Sequence, residues 1–208
     1  MWLAALLLTA GQDAPAASRE GGIQADAWSI LDALPPGRER ALRAAELLSD
    51  RERVPSAAQL ESAWRIGTQE AEALRFDSAV AVQRALYERV PALWSVSNLA
   101  LSLNRLEGAA AADGVLSQWL PQARGAERAD VWSQRGQFWL GAGQAQRGRT
   151  YLARALALGS ADAGVMLARE DLEAGQVSSA RTGFASALLQ PDPSPWALRG
   201  FGVALLTP

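Results

Sequence analysis

The sequence predicts an all-α fold, a row of antiparallel helical hairpins stacked side by side, and three observations predict it. First, a spaced set of large, small and glycine residues recurs. Trp132, Gly136, Trp139, Gly143, Gly148, Leu152 and Ala155 are followed 32 residues later by Ala168, Gly175, Ala180, Phe184 and Ala187. A period in the low thirties with small residues at fixed phases marks a helical-hairpin repeat. Such a unit cannot bury its apolar face alone and stacks on its neighbours. Second, turn-forming Gly, Pro and Ser residues separate apolar runs of helical spacing. Third, no segment alternates as a strand does: Ile occurs three times in 208 residues and Val is sparse.

The elements follow in order. Trp2 to Ala10 is a short apolar run, and Ala14-Pro15-Ala16 resembles a small-residue cleavage site. The expectation is a signal peptide over 1–16 and an exported protein (periplasmic, envelope or secreted). The n-region carries no Arg or Lys, so the alternative is a buried first helix in a cytoplasmic protein. The run is shorter than the roughly 20 apolar residues that span a bilayer. After a polar leader, an N-terminal helical hairpin over 17–55 is expected. Its first helix runs from about Gln24 to Leu34, with Ala27, Ile30, Leu31 and Leu34 inward, and Pro35-Pro36-Gly37 stops it. Its second runs from Arg38 to about Arg53, burying Ala41, Leu42, Ala45 and Leu48. Ser56 with Gln59 forms a capping box that opens the array over 56–208. First helices are expected at about 57–73, 93–106, 129–141, 161–174 and 195–206. Second helices are expected at about 77–89, 109–120, 145–157 and 178–189. Asp77 is a candidate N-cap, and Ser194-Pro195 fits an N-cap followed by Pro at the first helical position. This makes four helix pairs and an unpaired last helix.

Laid in phase, the pairs resemble the tetratricopeptide repeat (TPR). The small position of the first helix falls on Gly67, Ala100, Gly136, Ala168 and Gly200, and that of the second on Ala79, Ala112, Gly148 and Ala180. The resemblance covers roughly 56–206 and is clearest at 129–160. Gln83 and Leu86, Trp119 and Asp171 depart from the pattern. The resemblance implies an α-α superhelix, a right-handed solenoid of antiparallel pairs, with an inner wall lined by the first helix of each pair.

Composition excludes much chemistry. There is no Cys and no His, and all 20 basic residues are Arg. Disulfides, thiol or imidazole catalysis, zinc sites that need imidazole or thiolate, and lysine-dependent P-loops are therefore out of reach. No cofactor or metal is expected. The balance of 20 basic against 22 acidic residues lacks the basic excess of a nucleic-acid binder. The dense stretch from Arg38 to Arg53 is interleaved with Glu39, Glu46, Asp50 and Glu52 and reads as a solvated helix face. Glu61-Ser62 resembles the catalytic pair of lytic transglycosylases, without that family's following motif. Glu170 and Glu173 share a face, but Arg169 lies beside them, which favours surface pairing over acid–base work. Trp94, Trp132, Trp139 and Trp196 sit at first-helix phases and are expected to pack between repeats.

The expected function is a non-catalytic scaffold binding a protein or peptide. Carried over by phase, the exposed inner positions include Asn104, Arg105, Ser133, Gln137, Arg169 and Glu173, a mixed polar wall suited to an extended peptide. The last helix is too apolar for a solvent-facing cap. Trp196, Phe201 and Leu205 mark a possible interface, to a partner or to a second copy. The alternatives are a cell-envelope carbohydrate-active enzyme using a converging carboxylate pair, and a Trp-based carbohydrate-binding module.

Overall fold

The computed structural model describes residues 27–31, 33–190 and 193–207. The expected signal peptide and leader lie outside them. Ten helices have defined bounds: α1 (Arg38–Ser49), α2 (Ala57–Glu72), α3 (Phe76–Arg89), α4 (Leu93–Leu106), α5 (Ala109–Trp119), α6 (Gly125–Gly141), α7 (Ala145–Ala157), α8 (Ala161–Glu173), α9 (Val177–Leu188) and α10 (Pro195–Leu206). A helical stretch at 27–31 precedes them. Contacts divide the chain into two compact units, one ending at Pro91 and one beginning at Ala92. The α2/α3 hairpin, grouped by the sequence reading with the repeats that follow it, lies in the first unit with α1.

In the first unit, α3 packs on both α1 and α2. Its core joins Leu31, Ala41, Ala44, Leu48, Ile66, Val82 and Leu86, all nearly or fully buried. The inward stripe of α1 is therefore Ala41, Ala44, Leu47 and Leu48. Leu42 and Ile30, expected inside, are exposed. Helix α1 also stops short of Arg53, because the Asp50 carboxylate accepts the N–H of Glu52 at 3.2 Å and holds the chain in a turn. Arg89 reaches from the end of α3 to the carbonyls of Leu48 and Asp50, satisfying acceptors that a helix end leaves open.

Three of the four hairpin turns share one geometry. In α2/α3, α6/α7 and α8/α9 the residue after the C-cap has φ of 60° to 76°: Leu74, Gly143 and Gly175. The next N–H bonds back to the helix: Arg75 to the Glu70 carbonyl, Gln144 to Trp139 and Gln176 to Asp171, at 2.7–2.9 Å. This is a Schellman closure, which glycine adopts without a Cβ penalty. Leu74 bears that penalty while its side chain is 74% exposed and buries almost nothing in return. Leu74→Gly is expected to raise the unfolding free energy by about 1 kcal/mol, read from urea unfolding; a loss of stability would show that the leucine side chain does pack.

Capping agrees with the sequence at two of three sites. Ser56 and Gln59 form a reciprocal box, and Ser194 accepts from the Trp196 N–H ahead of Pro195 at the first turn. Asp77, expected as an N-cap, lies inside the first turn of α3, and Arg75 takes the cap position.

The second unit stacks α4/α5, α6/α7 and α8/α9, with α10 on α9. The small residues sit where paired helices cross. A Cβ on Gly136 would lie 2.7 Å from Leu152 Cγ and 3.0 Å from the Gly148 carbonyl oxygen. One on Gly148 would lie 2.6 Å from Leu140 Cγ and 2.9 Å from the Gly136 oxygen. Ala100, Ala112, Ala168 and Ala180 are buried at the equivalent positions. Beside them, Trp132, Leu152, Ala155 and Ala163 join one hairpin to the next. Phe184, Ala187, Ala197 and Ala204 do the same for α10, with Phe201 packed against them. Arg181 on α9 then donates to the carbonyls of Ala204 and Thr207, at 2.7 and 2.8 Å, and ties down the end of α10.

Candidate functional site

In the second unit, α4, α6, α8 and α10 are the first helices of successive pairs, and their shared side carries three adjoining clefts. Their residues fall at three- and four-residue spacing, which keeps one face of each helix in line. The first cleft, of about 380 Å³, takes Trp94 and Ser97 from α4, Asp130, Ser133, Gln134 and Gln137 from α6, and Asp162 and Met166 from α8. The second, of about 410 Å³, runs between Gln137, Leu140 and Gly141 on α6 and Met166, Arg169, Glu170 and Glu173 on α8. The third, of about 630 Å³, is the most apolar. Val165, Met166, Leu172 and Phe184 meet Trp196, Gly200 and Val203, with Asp162, Arg169, Glu173 and Arg199 at its rim. Met166 belongs to all three, so they form one groove. A thioether side chain at the junction adapts to differing occupants.

Charge is uneven along this groove. Arg169 pairs with Glu173 at 3.0 Å, and both are largely exposed. Arg199 lies over the Trp196 ring, 5.6 Å from its centroid. At the other end, Asp130 and Asp162 have no ion-pair partner among the described residues. Desolvation raises the Asp130 carboxyl above its ordinary value, and the charges of Asp162 and Glu127 push it further the same way. In the same cleft Gln134 donates to Ser97 Oγ at 2.9 Å, while its buried Oε1 accepts nothing.

The sequence-expected residues divide. Gln137, Arg169 and Glu173 line the groove. Ser133 lines it too, but as floor and not as an exposed contact: it is 6% exposed, and Gln137 donates to its Oγ at 3.4 Å. Asn104 is half-buried and Arg105 exposed, one turn or more beyond the lining positions of α4. The cause is registry: α4 meets the groove only near its start, at Trp94 and Ser97, whereas α6 and α8 line it from Asp130 and Asp162 to their last turns. Among the tryptophans, Trp132 and Trp139 are buried as expected, Trp94 is half-buried in the groove, and Trp196 is 65% exposed. Phe201 is not an open contact but part of the seam to α9. The helix has three faces. Ala197, Phe201 and Ala204 meet α9, Trp196, Arg199 and Val203 meet the groove, and Leu198, Leu205 and Leu206 are uncovered.

Sequence reasoning missed a buried ionic node behind the groove. Asp113 on α5 accepts from Arg135 Nε on α6 at 2.5 Å and from Arg147 Nη2 on α7 at 3.1 Å. Arg135 lies against the Trp132 and Tyr151 rings, 4.6 and 4.4 Å from their centroids, and Arg147 lies 3.7 Å from that of Trp139. Asp113 and Arg135 are both buried. The node fixes α6, which carries Asp130 to Gln137.

A larger opening of about 850 Å³ lies between α7 and α9, over α8. Its buried charge is already paired: Asp171 Oδ1 lies 2.6 Å from Arg149 Nη2, without hydrogen-bond geometry, and Oδ2 accepts from Ser179 Oγ at 2.5 Å. Of the other acidic candidates, Glu61 is exposed while its neighbour Ser62 is buried. No grouping of three or more His, Cys, Asp or Glu suited to a metal exists among the described residues. No described helix is long and apolar enough to cross a membrane.

No protein-family model and no curated protein matches the sequence. Among solved structures, the chain is similar to TTC0263, a thermophilic TPR protein of Thermus thermophilus. The identity is 20% and the TM-score 0.57, over 89% of this chain and 95% of that one. The likeness establishes the fold, a TPR-like array of helical hairpins.

Proposed function

We propose that the protein is a non-catalytic helical-repeat scaffold whose second unit holds an extended segment of a partner protein along the groove of α4, α6, α8 and α10. The observation that carries this reading is the continuity of three clefts through Met166. Helix axes about 10 Å apart give a track of roughly 30 Å, the length of about nine extended residues. The apolar run from Trp2 and the small residues at 14–16 support an exported or envelope setting. The uncovered Leu198, Leu205 and Leu206 offer a surface for a second copy; a chain that stays monomeric at high concentration would count against that contact.

Selection of a displayed library of random ten-residue peptides on the immobilised protein tests the groove. Enriched peptides are expected to bind the Met166→Arg variant at least tenfold more weakly, since a longer, charged side chain fills the junction of the three clefts. Equal binding to both proteins would remove the groove from the account.

One observation favours a second reading. Asp130 and Asp162 share a cleft, and the Asp130 carboxyl is raised, as a glycan-cleaving acid would require. Both side chains are exposed, however, whereas a general acid tuned for neutral pH needs seclusion from water. Release of reducing ends from purified cell-wall glycan, lost in Asp130→Asn, would establish the enzyme; the scaffold releases none.

A further inference from the structure

We infer that the groove selects a partner segment carrying a basic side chain, arginine above all, next to a large apolar one. This rests on the groove reading above and adds the chemistry of its occupant. The occupant follows from complementarity between adjoining clefts. The apolar cleft of Val165, Leu172, Phe184, Trp196 and Val203 takes the apolar side chain. Its rim holds Asp162, Arg169, Glu173 and Arg199, two charges of each sign, so it favours neither sign of charge. The neighbouring cleft is negative: Asp130 and Asp162 face it with no cation of the protein's own among the described residues. Trp94 offers an aromatic wall on which a guanidinium can stack. The two clefts share Asp162 and Met166, which places the two side chains on neighbouring positions of one segment. The raised Asp130 carboxyl is a further sign that nothing within the protein neutralises this end.

The test uses three defined probes at millimolar concentration with the uniformly ¹⁵N-labelled full chain: acetyl-arginyl-leucinamide, its citrulline analogue and its glutamate analogue. The arginine probe is expected to move the amide signals of Asp130 to Gln134 and of Met166, and to bind at least fivefold more tightly than the other two. The double variant Asp130→Asn/Asp162→Asn is expected to lose that preference while keeping the response at Leu172 and Val203. It should also stay folded, because Asp130→Asn removes a repulsion. Below the ordinary carboxyl range Asp130 is neutral folded or unfolded; as pH rises through its raised range the folded form ionises at a cost, and asparagine does not. Equal binding of the three probes, or a preference that survives the double variant, overturns the inference and leaves the groove standing. No response at either end with any probe overturns the groove itself.

Discussion

Replacing Asp113 by alanine is expected to lower the unfolding free energy by about 3–5 kcal/mol. The loss is large because the substitution removes the only carboxylate that Arg135 contacts among the described residues, and Arg135 is 7% exposed. Its guanidinium is left buried against Trp132 and Tyr151, whose ring faces replace only part of an ion pair. Arg147 loses its carboxylate too but keeps access to water, so it adds less. Asp113→Asn retains one acceptor and is expected to cost about 1–3 kcal/mol, the range for one poorly satisfied buried group. The double variant Asp113→Leu/Arg135→Met removes both charges and is expected to recover most of the loss. Urea unfolding followed by circular dichroism reads all three. A loss for Asp113→Ala below about 1 kcal/mol, typical of a surface pair, would show that the node is hydrated.

Gly148→Leu is expected to cost about 3 kcal/mol, the upper end for overpacking. The first added carbon would meet Leu140 Cγ at 2.6 Å and the Gly136 backbone oxygen at 2.9 Å. Leu140 can change rotamer, but the oxygen moves only if α6 moves, and α6 is pinned by Arg135. The exposed Gly141, whose added Cβ meets nothing within 4 Å, is the control. Gly141→Ala is expected to leave stability level or raise it slightly, as alanine is the better helix former. Stability unchanged or raised at 148, as at 141, would mean that the crossing accommodates the side chain and only helix propensity is felt.

The two results together explain what was legible in the sequence. Gly136, Gly148, Ala168 and Ala180 were readable because a close crossing admits only small side chains, and it recurs at a fixed interval. The turn glycines were readable because a positive φ selects them; Leu74 shows that the turn forms without one, so its absence hid nothing. The groove was partly readable. Gln137, Arg169 and Glu173 follow from helical phase, but phase does not say which turn of each helix meets its neighbour. That left Asp130, Asp162 and Trp94 out and put Asn104 and Arg105 in. The Asp113 node was not readable, since it joins three helices and no residue spacing along the chain marks it. Asp171 was read as a departure from the repeat and proves to be a buried carboxylate paired with Arg149 of the preceding hairpin, as Asp113 is paired with arginines of the following one.

Binding is proposed along the first helices of the second unit and not across its second helices, where the larger opening lies. The direct measurement is photo-crosslinking of the full chain by a selected peptide with photo-leucine at its apolar position, with adducts mapped by mass spectrometry. Adducts are expected within 162–173 and 196–203, with 130–137 reached when the photo-reactive residue is moved to the basic position. Adducts confined to 146–156 and 178–190, on α7 and α9, would contradict it.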